Sequence, residues 1–243
     1  MFTYVPSGQL IVGRAYGLAI AAALLAFFQL SPAVAAAPDF PISLLRLPHT
    51  KATLAHKPAL YFHIGRFEGT LEKTTLIDAK KMLGGRVYER GADDDRSYLL
   101  CYSIVTPKAV ERIWLSSDDE MGGSNHAVGT VAAELLPSSG SPLPECPALP
   151  PQFSDFSVAN GLRLSMAANQ ALQSMGNPSS KAGDFVHSGG RISYVYEKRV
   201  DAADPVVGNR STALKDFTIH NELVLRAVGG RVIGLLATRT TSN

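Results

Sequence analysis

Six histidines, His49, His56, His63, His126, His187 and His220, are the side chains of this chain best suited to moving protons or ligating a metal near neutral pH. Their spacing supports neither role by itself, since there is no HExxH and no pair at ligand spacing on a helix. Asp93-Asp94-Asp95 and Asp118-Asp119-Glu120 gather carboxylates that suit a hard cation. Neither run continues into the spaced glycine and closing glutamate of a calcium loop, so both predict solvated turns. Nucleophilic catalysis fares no better. No serine stands on a Gly-x-Ser-x-Gly turn, and His187-Ser188-Gly189-Gly190 reads as a hairpin connection. Cys101 and Cys146 lack the basic or histidine neighbour in sequence that would lower a thiol pKa. The expectation is therefore no metal, no cofactor and no catalytic centre. The rival is an enzyme whose site assembles only in the fold, from His63, His187 or His220 with nearby acids.

The remaining chemistry is recognition. Tyr98, Tyr102, Trp114, Tyr194 and Tyr196 all fall on strand-like stretches, and large rings and arginines are over-represented among binding hot spots. In the alternating stretch 110–115, Trp114 shares a face with Val110 and Arg112, while Glu111, Ile113 and Leu115 take the other. Ile113 and Leu115 make the better core set. This predicts a binding surface on the opposite face, with Trp114 partly exposed beside Arg112.

These residues need elements to hold them. In the block 161–178, Leu164, Ala168, Ala171, Leu172 and Met175 recur at the spacing of one helix face, and Gly176 with Pro178 stops the helix. Three stretches rich in β-branched and aromatic residues follow, at 192–197, 217–227 and 231–238, the last two joined through Gly229-Gly230. An earlier copy of this order aligns Gly69, Ala79 and Gly84 on Gly161, Ala171 and Gly176 at a constant offset of 92, and Ser97-Tyr98 on Ser193-Tyr194 at 96. The predicted fold class is α+β, two tandem helix-on-antiparallel-sheet repeats joined by a Pro-rich linker. Its parts are an extended segment at 36–58, a first repeat at 59–136, the Pro/Ser-rich linker at 137–152 and a second repeat at 153–243.

Residues 1–35 are predicted to lie outside the fold. Arg14, the apolar run 15–30 and Ala33-Val34-Ala35 have the order of a secretory signal, and sixteen apolar residues are short for a membrane span of about 20. Cleavage after Ala35 would leave a chain that is not embedded in a membrane and is periplasmic or secreted; retention as an anchor is the competing reading. The two cysteines of an exported chain are expected to pair, pinning the proline-rich segment against the first sheet. A net charge of +2 with no basic run argues against nucleic acid as a partner.

The Gly161-Leu-x-x-Ser165 start, the helix ending Met175-Gly176-Asn177-Pro178, the Tyr194-Val195-Tyr196 strand and the final Leu223-Val224-Leu225 and Gly229-Gly230-Arg231-Val232 pair resemble the SmpA/OmlA (BamE) and beta-lactamase-inhibitory-protein-like repeat. That resemblance implies a non-catalytic module that binds other envelope proteins. The chain departs from both models, lacking the lipid-bearing cysteine of the one and the disulfide in each repeat of the other. The expected function is an exported envelope protein that binds another protein or a cell-wall component through a sheet face. Inhibition of a secreted or periplasmic hydrolase is the alternative within the same class.

Overall fold

The computed structural model describes residues 37–41, 57–92, 96–118, 125–137, 143–201 and 216–242. The expected signal, most of the extended segment and both acidic runs, apart from Asp118, lie outside them. The chain is mostly β, with 54% strand. This corrects the expected class of two tandem helix-on-sheet repeats. The strands close into one eight-stranded antiparallel sheet, with a three-stranded sheet beside it.

In chain order the elements begin with β1 (Tyr61–Ile64), β2 (Phe67–Thr70), helix α1 (Leu76–Leu83), β3 (Tyr88–Arg90), β4 (Ser97–Val105), β5 (Ala109–Asp118) and β6 (Thr130–Pro137). They continue with β7 (Phe156–Val158), helix α2 (Ala168–Met175), β8 (Ser180–Asp184), β9 (Gly189–Asp201), β10 (Asp216–Val228) and β11 (Arg231–Ser242). The large sheet runs β3-β4-β5-β6-β11-β10-β9-β8 and the small one β2-β1-β7. The physical reason for the correction is the pairing of β6 with β11, from Gly234 opposite Glu134 to Thr238 opposite Thr130. It removes the two edges that separate modules would expose and gives the halves one core.

The near face of the large sheet is that core. Leu100, Tyr102 and Ile104 of β4, Ile113 and Leu115 of β5, Val131 and Ala133 of β6, Ile192 and Tyr194 of β9, Leu223 and Leu225 of β10 and Leu235 and Ala237 of β11 are all buried there. Both helices and the small sheet cover them, through Leu76, Ala79, Ala168, Ala171, Phe62, Ile64 and Phe156. The small sheet is docked by a buried polar residue. Asn221 accepts from the Ala59 backbone N–H at 2.6 Å, and its amide group donates to the carbonyls of Ala59 and Thr238. Asn221→Ala would strand both Ala59 backbone groups in the interior. It is expected to cost about 2 to 4 kcal/mol in urea unfolding, and a loss under about 0.5 kcal/mol would contradict this docking role.

Each helix is eight residues long and starts and stops for local reasons. Thr75 caps α1 with a reciprocal Asp78 bond, and Asp78 is held below the usual carboxylate range by the Thr75 hydroxyl and backbone N–H. Gly84 and Gly176 end the helices at φ 79° and 80°, where a Cβ would be strained. The predicted stripe from Leu164 overestimates α2. Leu164 is buried, but the chain from Leu162 to Ala167 is held outside the helix by bonds to β7 and β11, among them Ser165 N–H to the Val232 carbonyl.

The tyrosines closing the helices correct the Tyr98–Tyr194 alignment. The Tyr102 hydroxyl donates to the Gly84 carbonyl at 2.9 Å and the Tyr194 hydroxyl to the Gly176 carbonyl at 3.1 Å. Tyr102 and Tyr194 are 92 apart, the same offset that joins the glycines. Burial raises both phenol pKa values above 10.0, that of Tyr194 to about 12. Between those values the unfolded chain has lost a proton that the folded chain keeps, so stability is full below pH 10 and falls as pH rises through that window. Tyr102→Phe and Tyr194→Phe should each flatten the alkaline limb of a stability-against-pH curve; an unchanged limb would contradict it.

Candidate functional site

The far face of the large sheet, turned away from both helices, carries Trp114 and Arg112, two of the six residues singled out for binding. Register sets them in straight rows across strands from both halves of the chain. One row is apolar at its centre: Cys101 of β4 faces Trp114, Trp114 faces Ala132, Ala132 faces Leu236 and Leu236 faces Val224. The next row is charged: Arg112 faces Glu134, Glu134 faces Gly234, Gly234 faces Arg226 and Arg226 faces Arg191.

The apolar row is not open. Trp114 is 1% exposed, which corrects the expectation of a partly exposed ring, although it does stand on the predicted face beside Arg112. Two covers account for the burial. Phe40 meets the indole edge-on with ring centroids 6.2 Å apart, and Pro38 and Pro41 on either side of it are buried. On the β4 side, the Cys101–Cys146 disulfide brings in the proline-rich segment. That segment does not act as a free spacer over its described part. The Ser103 N–H donates to the Pro147 carbonyl, the Leu149 N–H donates to the Ser103 carbonyl, and the Ser103 hydroxyl donates to the Cys146 carbonyl at 2.9 Å. It therefore occupies the edge of β4 beyond the reach of β3, which pairs only at Ser97 to Leu99.

The charged row is partly exposed and imperfectly matched. The Arg226 Nη2 lies 3.6 Å from the Glu134 Oε1, with the side chains 33% and 17% exposed. Gly234, between them on β11, has no side chain to obstruct that reach across a strand. The Arg112 guanidinium sits 5.9 Å from the Trp114 ring centroid, a stacking that holds its stem along the indole. The Nε atoms of Arg112 and Arg226 and the Nε1 of Trp114 are buried and have no hydrogen-bond acceptor among the described residues. The same holds for the Nε of Arg96, which is ion-paired with Glu89, and the Nδ1 of His126 elsewhere in the chain.

The other predicted site residues are dispersed. Tyr102 and Tyr194 are buried in the core, with their hydroxyls committed to the helix ends. Tyr196 is half-buried on β9, and Tyr98 lies 4.0 Å from the His126 ring. Neither shares the far face with Trp114. His63 points away from the core on β1, His220 stands on the far face of β10, and His187 is in the β8–β9 turn. There His187 bonds the exposed Asp184 at 3.2 Å. The backbone N–H of His187 holds the Asp184 carboxyl below its usual range. No group of three or more His, Cys, Asp or Glu that could hold a metal occurs among the described residues.

Two features had no signal in sequence. Glu111, on the near face of β5, has its pKa raised by burial first and by the Asp155 charge second, with Arg163 opposing. Glu134 and Arg226 lie 92 residues apart and meet only because β6 pairs with β11 and β11 with β10. Compared with protein-family models, with curated proteins and with solved structures, the chain matches none.

Proposed function

We propose that this protein is an exported, non-enzymatic binding protein of the cell envelope that engages another protein through the far face of its large sheet. The observation that carries the reading is the Arg112, Glu134 and Arg226 row, partly exposed and flanked by a covered apolar row. An arginine fork next to a desolvated ring suits partner recognition. The buried disulfide fits an oxidising compartment such as the periplasm or the exterior. The resemblance to envelope-protein-binding repeats supports the same class of function. Binding rather than turnover is also in keeping with the placement of His63, His187 and His220 on three separate elements.

The test is retention. The immobilised chain is exposed to a periplasmic extract of its source, alongside the Arg112→Gln/Arg226→Gln double variant and Lys81→Gln on the exposed side of α1. A protein retained by the first and by Lys81→Gln, but lost from the double variant, is the expected result. Equal retention by all three would contradict the reading.

A further inference from the structure

We propose that residues 37–41 are an exchangeable strap, and that the seat of Phe40 on Trp114 receives an extended segment of the partner carrying an aromatic residue beside proline. The inference rests on the binding reading above; it adds how the far face is closed in the free chain and what class of segment opens it.

The local sequence favours a strap over a strand. In Ala37-Pro38-Asp39-Phe40-Pro41 the prolines have no amide donor, each holds φ near about −65°, and a residue that precedes proline is driven to extended backbone. The stretch is therefore extended before it docks, and it meets the sheet through side chains rather than as a paired strand. Pro38 and Pro41 are buried and Asp39 is exposed. Phe40 packs on the cluster of Cys101, Trp114, Ala132, Cys146, Val224 and Leu236. Ala132, the smallest of these, stands between Trp114 and Leu236 and leaves a low point in the row for a ring.

The two covers of that row are held differently. The Cys146 segment is tied by its disulfide, by two backbone bonds at Ser103 and by the Ser103 hydroxyl. No backbone–backbone bond among the described residues involves residues 37–41. The strap can thus lift without breaking the ladder of the large sheet, and a segment held by a few side chains opens at far lower free energy than the whole fold. The signal cleavage expected after Ala35 would make Ala36 the first residue and leave the strap tied to the fold at one end. Once it lifts, Trp114, Ala132, Leu236 and Val224 form an apolar stripe two residues along each strand from Arg112, Glu134, Gly234 and Arg226. Entry is by exchange, onto a surface the strap has left. The strap competes from within the chain at high effective concentration, so the apparent affinity for the partner is the intrinsic one multiplied by the fraction open.

The test uses the full chain, Phe40→Ala, Phe40→Leu and Lys81→Gln, with two capped peptides. One, Ala-Pro-Asp-Phe-Pro-Ile, copies residues 37–42; the other, Ala-Pro-Asp-Ala-Pro-Ile, lacks the ring. Trp114 is the only tryptophan, so its quenching by acrylamide reports the seat. Phe40→Ala should keep the far-ultraviolet circular dichroism of the parent, expose Trp114 to quencher and bind the Phe peptide about tenfold or more tightly than the parent, as expected for a strap closed about ten to one or better. The bound peptide should restore the protection of Trp114, and the peptide without the ring should bind at least about tenfold more weakly. Phe40→Leu, which keeps apolar bulk, should fall between parent and Phe40→Ala, and Lys81→Gln should match the parent. Excess Phe peptide should release the protein retained from the extract. Equal quenching of parent and Phe40→Ala, equal binding of the two peptides, equal affinity of parent and Phe40→Ala, or retention unchanged by excess Phe peptide would each overturn the exchange. Unfolding of both Phe40 variants would overturn it as well, by making the strap a fixed part of the fold. If the exchange fails while the Arg112→Gln/Arg226→Gln variant still loses its partner, the binding face stands and only the exchangeable seat falls. If that variant keeps its partner, the binding reading falls whatever the peptides do.

Discussion

Replacing both Cys101 and Cys146 by alanine is expected to lower the unfolding free energy by about 4 kcal/mol, one of the two largest effects outside the near-face core. The bond closes a separation of 45 residues, and restricting the unfolded chain over a loop of that size contributes about 4 kcal/mol in the chain-entropy account. Both cysteines are buried, at 1% and 0% exposure, so the substitution also removes packing beneath Trp114. A structural consequence should accompany the loss. The backbone bonds between Ser103 and the segment at Pro147 and Leu149 depend on that tether, and their loss would leave the end of β4 as an open edge. Faster amide exchange at Ser103 and Leu149, with a fall in the denaturation midpoint, is the predicted result; a loss below about 1 kcal/mol would show that the segment docks without its disulfide.

Trp114→Ala should be nearly as damaging. Removing a fully buried aromatic side chain typically costs about 3 to 5 kcal/mol, through lost transfer energy and the cavity that remains. Here the cavity would open between Phe40, the disulfide, Ala132 and Leu236, and the Arg112 guanidinium would lose its ring. Thermal unfolding of the variant should show a large drop in midpoint, and Trp114→Phe should recover much of it. A midpoint within a degree or two of the parent would mean that the indole is exposed in solution and that its cover is not held.

The difference between an exposed and a buried Trp114 shows how far the sequence can be read. Alternation from Val110 to Leu115 places Trp114 and Arg112 on the far face, because the side-chain period of a strand is a local property. What covers that face is not local. Phe40 lies 74 residues before Trp114 and Cys146 lies 32 after it, and no pattern within a strand reports either. The run Leu99 to Ile104 did hold a hint. It is apolar on both sides apart from Ser103, as a central strand buried on both faces must be, and all six residues are buried.

The long strands and both helix stops were legible for the same local reasons. The Gly229-Gly230 turn, with φ of 55° and 72°, is the two-residue hairpin that the dipeptide signals. Strands β2, β3, β7 and β8, of three to five residues, are too short to show a period. The union of the halves through β6 and β11 was invisible because neither strand names its partner. For the candidate site, sequence supplied Arg112 but not Glu134 or Arg226, whose meaning lies in a register across four strands. Tyr102 was recoverable from the offset of 92 but was displaced by the Ser-Tyr match at 96, a shared dipeptide that carries no structural equivalence.

The most direct measurement of the central claim is an arginine footprint. The chain is treated with phenylglyoxal, free and in complex with the protein it retains, and modified sites are read by mass spectrometry. The far-face account predicts that Arg112 and Arg226 are modified in the free chain and protected in the complex, while the exposed Arg163 and Arg231 react equally in both. Equal modification of Arg112 and Arg226 in the two states, or protection confined to Arg163 and Arg231, would contradict it.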